Sequence, residues 1–245
     1  MKLKTRLTTY LKRLAAVIFV ISIIGVSLIF SAKHIHPNGL QPVVTGQKYV
    51  LDNVQLVMVE QQEVLKAQQL VINNGVIEKI ETAGTIAPLS YDLVDGNNAY
   101  VTPGLFDMHV HHLERKALAL SLAHGVTSVR MMRGYRMQKL WRKELKRQQW
   151  LGSNLYLSSP VFSSRDTHVL NQPVLSPEHA RQLVESAHED GFDLIKLYGY
   201  LDAQEFEAII ERANELGMPV AKHGPHPAKG SDWKFVKGLQ SLEHA

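Results

Sequence analysis

Three histidines fall within four residues at the end of the apolar run VTPGLFDMHVHH, Val101 to His112. Side chains alternate along an extended strand, so His109 and His111 project from one side and Val110 from the other. Two neutral imidazoles on one side make half of a metal site; taken alone, the stretch reads equally as a strand end with solvated histidines. Further along, Lys196 stands in LIKLY, His223 ends PVAKH and His244 stands in SLEHA. The steps from His111 to Lys196 (85 residues), to His223 (27) and to His244 (21) correspond to about three, one and one strand-plus-helix units. In a parallel barrel the active site is built at the C-terminal ends of the strands, which is where these four segments place their metal-competent or base-competent side chains.

Lys196 is the unusual member, because an ammonium beside a divalent cation is repelled. Burial and a neighbouring cation both favour the neutral amine. A neutral amine can capture carbon dioxide as a carbamate, a carboxylate able to bridge two metals. Alone, the residue reads better as a lysine reaching from a strand end to solvent; in company with the histidines the carbamate reading is preferred. The chain has no cysteine, so disulfides, thiolate sites and cysteine nucleophiles are excluded, and any metal falls to His, Asp, Glu or a modified side chain.

These residues require a framework of strands and helices. The strands VQLVMV and QLVIN precede an Asn74-Gly75 turn with VIEKIE after it, a hairpin signal, and a second turn at Asp95 to Asn97 leads into the histidine strand. After His112 the chain alternates. A helix over LERKALALSLAHG precedes the strand VTSVRM, and the basic segment Arg130 to Arg147, with eight basic residues and one acid, leads to NLYLSSP. Its apolar positions Met137, Leu140, Trp141 and Leu145 follow helical spacing, which predicts an amphipathic helix with a solvated basic face. A Ser-Pro start predicts a helix from Ser176 to Asp190 with Ala180, Leu183, Val184 and Ala187 inward and Gly191 at its end. FDLIKLY is the next strand, followed by a helix opened by Asp202 and Glu205 in capping-box spacing that buries Phe206, Ile209, Ile210 and Ala213 and stops at Gly217. MPVAKH, a short connecting helix over GSDWKFVKG, and LQSLEHA complete six strands, the pattern of a parallel α/β sheet with right-handed crossovers.

At 245 residues with 45% apolar and 20% charged residues, the composition is that of a globular protein. The net charge of +4 is misleading: residues 1 to 51 hold seven Lys or Arg and no acid, leaving 20 basic against 23 acidic residues beyond them. That balance argues against a nucleic-acid partner. The first segment is a targeting or anchoring element. A basic lead, MKLKTRLTTYLKRL, precedes 19 residues from Leu14 to Ala32 without a charge, Asn, Gln or Pro. This nearly reaches the roughly 20 residues that span a bilayer, and Phe30 spoils a small-x-small cleavage site, so an uncleaved anchor is favoured over a cleaved signal. The positive-inside rule then keeps the N-terminus in the cytoplasm and everything after Lys33 on the far side, periplasmic in a Gram-negative cell.

The ordered set PGLFDMHVHH, GVTSVR, IKLYG, PVAKHG and SLEHA resembles the amidohydrolase superfamily, closest to its binuclear-metal branch of imidazolonepropionase-like and Xaa-Pro dipeptidase-like enzymes, over Lys48 to Ala245. The resemblance implies an α/β fold, a (β/α)8 TIM-like barrel whose first six strands are present, beside part of a small β-sandwich. It divides the chain into the anchor or signal (1–32), a linker (33–47), the N-terminal part of the sandwich (48–102) and an incomplete barrel (103–245). It implies two divalent metal ions, zinc the first candidate, with His109 and His111 on one, His223 and His244 on the other, and a carbon dioxide-derived carbamate on Lys196 bridging both. It also implies hydrolysis of a C-N bond in a small amide or dipeptide, the two cations lowering the pKa of a shared water and polarising the carbonyl. Tyr198, two residues after Lys196, stands where it could bind the substrate oxygen, with packing at the rim as its alternative. His168 in SSRDTH stands on a loop after the third barrel strand, as a substrate contact or an ordinary surface histidine.

Two departures stand out. The superfamily places an acid/base aspartate at the end of strand eight, and this chain, ending on the sixth strand, has no candidate. After GVTSVR many relatives carry an acidic residue and glycines where this chain has MMRGY, which leaves substrate preference open. The competing expectation is an inactive truncated fragment or a non-enzymatic membrane-anchored binding protein that pairs with another chain; assembly into a homo-oligomer is compatible with either.

Overall fold

The structure is a computed structural model that describes residues 2–34, 48–85, 90–164, 171–199, 201–224 and 238–244. The chain divides into two compact units, residues 1–39 and 40–245. In the first, helix α1 spans Lys2–His34. Its segment Tyr10–Leu28 has a mean hydropathy of 2.1 and contains no buried residue. Nineteen helical residues rise about 28 Å, close to the thickness of a bilayer core. A signal sequence meets the same criterion.

The second unit begins with a small sheet. Strands β1 (Lys48–Met58), β2 (Glu63–Asn73) and β3 (Val76–Thr82) form an antiparallel meander, while β4 (Asp92–Asp95) and β5 (Tyr100–Val101) pair parallel with β1. The β2–β3 hairpin closes through Asn74 at φ 52° and Gly75 at φ 77°, the left-handed pair that matches strand twist. One face buries Val54, Leu56, Leu70 and Ile72; Ile77, Ile80, Leu93 and Val94 are exposed.

Strand and helix alternate from there. β6 (Leu105–Val110), α2 (Arg115–Ala123), β7 (Val126–Met131), α3 (Arg136–Lys146), β8 (Asn154–Ser163), the two-residue β9 (Gln172–Pro173), α4 (Pro177–Glu189), β10 (Leu194–Leu197), α5 (Ala203–Glu215), β11 (Val220–His223) and β12 (Leu239–Glu243) follow in order. The sheet runs β12-β11-β10-β8-β7-β6, every neighbour parallel, with β9 paired to the end of β8. It is curled, because side chains from its two outer strands meet: His109 Nδ1 on β6 lies 2.6 Å from Glu243 Oε2 on β12. This is the curled parallel half-barrel that the sequence pattern implies. The core is packed by Leu118, Val129, Leu157, Val184, Ile195 and Ile209, all at zero exposure.

Local chemistry sets the helix starts. The Ser176 hydroxyl accepts the His179 N–H with proline at the first turn of α4, and Asp202 and Glu205 cap α5 reciprocally. The stripes Ala180, Val184, Ala187 and Phe206, Ile209, Ile210, Ala213 are buried as the spacing predicts.

Helix α3 departs from its pattern. Met137 and Leu140 are 44% and 37% exposed, while Gln138, Trp141 and Glu144 are buried. The polar pair displaces the apolar one because its groups are satisfied. The Gln138 amide donates to His112 O and accepts from the Tyr135 N–H. Glu144 takes two hydrogen bonds from Arg115 and one from Trp150 Nε1. Strand boundaries also shift: β8 runs on to Ser163, and β10 stops at Leu197, leaving Tyr198 just beyond its end. The expected connecting helix before Gly238 and most of the linker from 35 to 47 lie outside the described residues.

Candidate active site

The parallel strands end on one rim, and the residue types singled out above gather there. His109 sits near the end of β6 with His111 just past it, Lys196 lies within β10, His223 ends β11 and His244 follows β12. His109 Nε2 is 3.2 Å from His111 Nε2. The ring centroids of His109 and His244 are 4.4 Å apart, those of His223 and His244 4.6 Å, and Tyr198 stacks on His223 at 4.4 Å. These side chains line one cavity of about 210 Å³. His168 lies outside the described residues.

Burial controls the charge of the cluster. It pushes the His111 imidazole down to about 4, reinforced by the charges of His109 and Arg133. The His109 imidazole is likewise lowered by burial, against the pull of its hydrogen bond to Glu243. Lys196 is 2% exposed, and burial lowers its amine to about 8 although Glu243 opposes the shift. Its Nζ is buried and has no hydrogen-bond partner among the described residues. A buried amine left without an acceptor is costly in a structural role, and costs little once it is neutral and available to another group.

Two side chains that sequence reasoning missed hold the cluster in place. Glu243 Oε2 accepts from His109 Nδ1 at 2.6 Å, and its Oε1 accepts from Arg130 Nη2 at 2.6 Å and from the Ser241 hydroxyl at 2.7 Å. Arg130 Nε also donates to Met108 O at 2.6 Å. Burial pushes the Glu243 carboxyl up, but the bonds from Ser241 and His109 and the Arg130 charge hold it below the usual carboxylate range. An ionised carboxylate at Nδ1 keeps the proton there, which leaves the His109 Nε2 lone pair free. The signal for both residues was strand alternation: Ser241 and Glu243 share one side of β12, and Arg130 opposes the buried Val129 and Met131 on β7.

The donor set fits a divalent metal in its chemistry: four imidazoles, of which burial favours the neutral form of His109 and His111 and a carboxylate orients His109, and an amine without a hydrogen-bond partner among the described residues. Among the described residues, however, no group of three His, Asp or Glu side chains is arranged to hold a metal ion. The imidazoles pack ring against ring and meet through the His109–His111 nitrogen pair.

Neither family models nor curated proteins match this sequence. Solved structures do. A protein from Bifidobacterium longum assigned as a prolidase is 22% identical with a TM-score of 0.62, over 76% of this chain and 51% of its own. A bottromycin amidohydrolase is 25% identical at 0.63, over 73% and 39%. A Xaa-Pro dipeptidase with methionine in its active site is 20% identical at 0.59, over 73% and 57%. The chain spans about half the length of these structures and shares their fold, which is that of the amidohydrolase superfamily.

Proposed function

We propose that this protein is a metal-dependent hydrolase of C-N bonds in a small amide or dipeptide, the reading that best joins its shared fold to its rim of imidazoles. One observation carries it: four histidines and a buried, unpartnered lysine, drawn from β6, β10, β11, β12 and the residues just past them, open on a single cavity. His109 and His111 would hold one divalent ion, His223 and His244 a second, and Lys196 would bridge them as a carbamate, zinc being the first candidate for such a set. When bound, the ions supply Lewis acidity, lowering the pKa of water and polarising the scissile carbonyl.

The chain's own residues prepare the site. The neutral Lys196 amine adds to carbon dioxide and loses one proton, which converts a repelled ammonium into an anionic ligand. Glu243, braced by Arg130, keeps the proton on His109 Nδ1 and so aims its Nε2 at the cavity. The Tyr198 hydroxyl, from a ring that lines the cavity, would donate to the oxygen that gains charge during attack. The proposal extends to the surroundings: strands β6, β7, β8, β10, β11 and β12 as the first six of an eight-stranded barrel over 103–245, residues 48–102 as part of a β-sandwich, and 1–32 with the linker 33–47 as an anchor that leaves the site outside the cytoplasm.

The test is metal content by mass spectrometry together with hydrolysis of a dipeptide panel. The full chain should carry close to two divalent ions, and the His109→Ala/His111→Ala variant should lose metal and activity together. Full occupancy in that variant sinks the assignment.

A further inference from the structure

We infer that Arg133 is the anion-binding side chain of this cavity and that the amide it serves carries a carboxylate. The inference rests on the proposed hydrolase function and adds to it the charge of the substrate and the residue that selects for it.

Arg133 stands two residues beyond β7, in MMRGY, where the chain departs from the resemblance. Its backbone is clamped on both sides. The Met132 N–H donates to Val110 O of β6 at 2.9 Å, and the Gly134 N–H donates to Ser159 O of β8 at 3.1 Å. A Cβ on Gly134 would come within 1.7 Å of Ser158 O, so the chain here lies directly against β8 and holds Arg133 at the cavity wall. The residue is therefore presented from a rigid turn.

Its side chain is unspent. The Arg133 Nε is buried without an acceptor, and no carboxylate among the described residues forms an ion pair with it. Other well-buried arginines are occupied: Arg130 on β7 by Glu243, and Arg115 on α2 by Glu144. Glu243, the acid that reaches the rim, already serves Arg130, His109 and Ser241. Among the described residues the cavity thus faces a guanidinium and the Lys196 amine with no anion left to answer them. Bridging metals would claim Lys196 as a carbamate, and Arg133 then remains as the permanent positive charge of the wall. A guanidinium matches a carboxylate through two parallel N–H···O bonds, and a cavity of about 210 Å³ admits only a small molecule. An amide with a free carboxylate near the scissile bond meets both conditions.

The experiment compares dipeptides with the same dipeptides as C-terminal carboxamides, hydrolysed by the metal-loaded full chain, by Arg133→Met and by Arg133→Lys. The wild type should prefer the free acids by roughly a hundredfold in kcat/KM, the range for an unpaired buried charge. Arg133→Met should lose that preference chiefly through KM, the free acids falling much further than the carboxamides, and Arg133→Lys should restore part of it. Equal losses on both series, the result if Arg133 paired with the Lys196 carbamate, overturn the inference, as does a wild type indifferent to the cap. That last comparison needs no variant, so a misfolded Arg133→Met leaves it decidable. A wild type that hydrolyses neither series defeats the proposed function instead; calorimetric binding of N-acetyl amino acids against their carboxamides then decides the role of Arg133, equal binding overturning it.

Discussion

Between helices α2 and α3, Arg115 and Glu144 are 7% and 6% exposed and answer each other with two hydrogen bonds of 2.9 Å, Trp150 Nε1 adding a third at 3.0 Å and the Trp141 ring lying under the guanidinium. At the strand ends, Lys196 Nζ and Arg133 Nε are also buried and have no acceptor among the described residues. One chain therefore handles buried charge in two ways. In the first region each polar atom finds a fixed partner and the charges tie two helices together; in the second, the partners are withheld. Leaving a buried polar group unsatisfied destabilises the fold, and such departures from local consistency concentrate at functional sites. The contrast marks the rim as the candidate working end independently of any resemblance.

The largest effect that would break this comparison lies in the satisfied region. Glu144→Leu strands the Arg115 guanidinium and should cost about 3–5 kcal/mol in urea denaturation. Pairing it with Arg115→Met should recover most of that loss, since neither charge then remains. A single variant as stable as wild type would mean that the pair is decorative.

The unsatisfied region should respond in the opposite sense. Lys196→Met removes an amine without an acceptor, so the metal-free chain should be at least as stable as wild type near pH 7 while failing to take up metal. Burial lowers the folded amine to about 8 from an ordinary value of 10.5. Between those pH values the unfolded chain holds a proton that the folded chain does not, so stability should rise with pH from about 8 to 10.5 and level off above. Lys196→Met should lack this rise in thermal midpoints measured under carbon dioxide-free nitrogen; an unchanged slope would assign it to another group.

The smallest effect concerns Glu243, which belongs to both behaviours: partnered by Arg130, yet serving a site residue. Glu243→Leu should weaken metal binding roughly 10–100-fold in chelator competition. Glu243→Gln keeps an acceptor for His109 Nδ1–H and should lose less. Equal losses would show that charge, rather than the tautomer, is what matters.

Much of this was legible in the residues themselves. The Asn74-Gly75 hairpin, the Ser176 cap and the Asp202-Glu205 capping box are decided by neighbours a few positions apart, and the structure has all three. The alternation of strands and helices after His112 and the inward stripes of α4 and α5 were readable for the same reason. Helix α3 was misread, because apolar spacing ranks Met137 and Leu140 above Gln138 and Glu144 and contains nothing about partners on α2 or on the chain after His111. In the site, His109, His111, Lys196, Tyr198, His223 and His244 were found from position in the strand pattern, and the structure brings them to one cavity. Arg130 and Arg133 were counted with the basic segment whose face was expected to be solvated, and Glu243 was not singled out.

The sequence by itself determined which residue types stand at which strand ends, where the turns and caps fall, and that no thiol chemistry is open to this chain. Those features depend on covalent identity and on contacts within about one turn or one hairpin. Only the tertiary structure decided which charges are spent and which are held free. His109 and Glu243 are 134 positions apart and meet because the sheet curls its outer strands together. Whether an arginine or lysine finds an acceptor depends on such meetings, and that is what separates Arg130 from Arg133 although only two residues of chain lie between them.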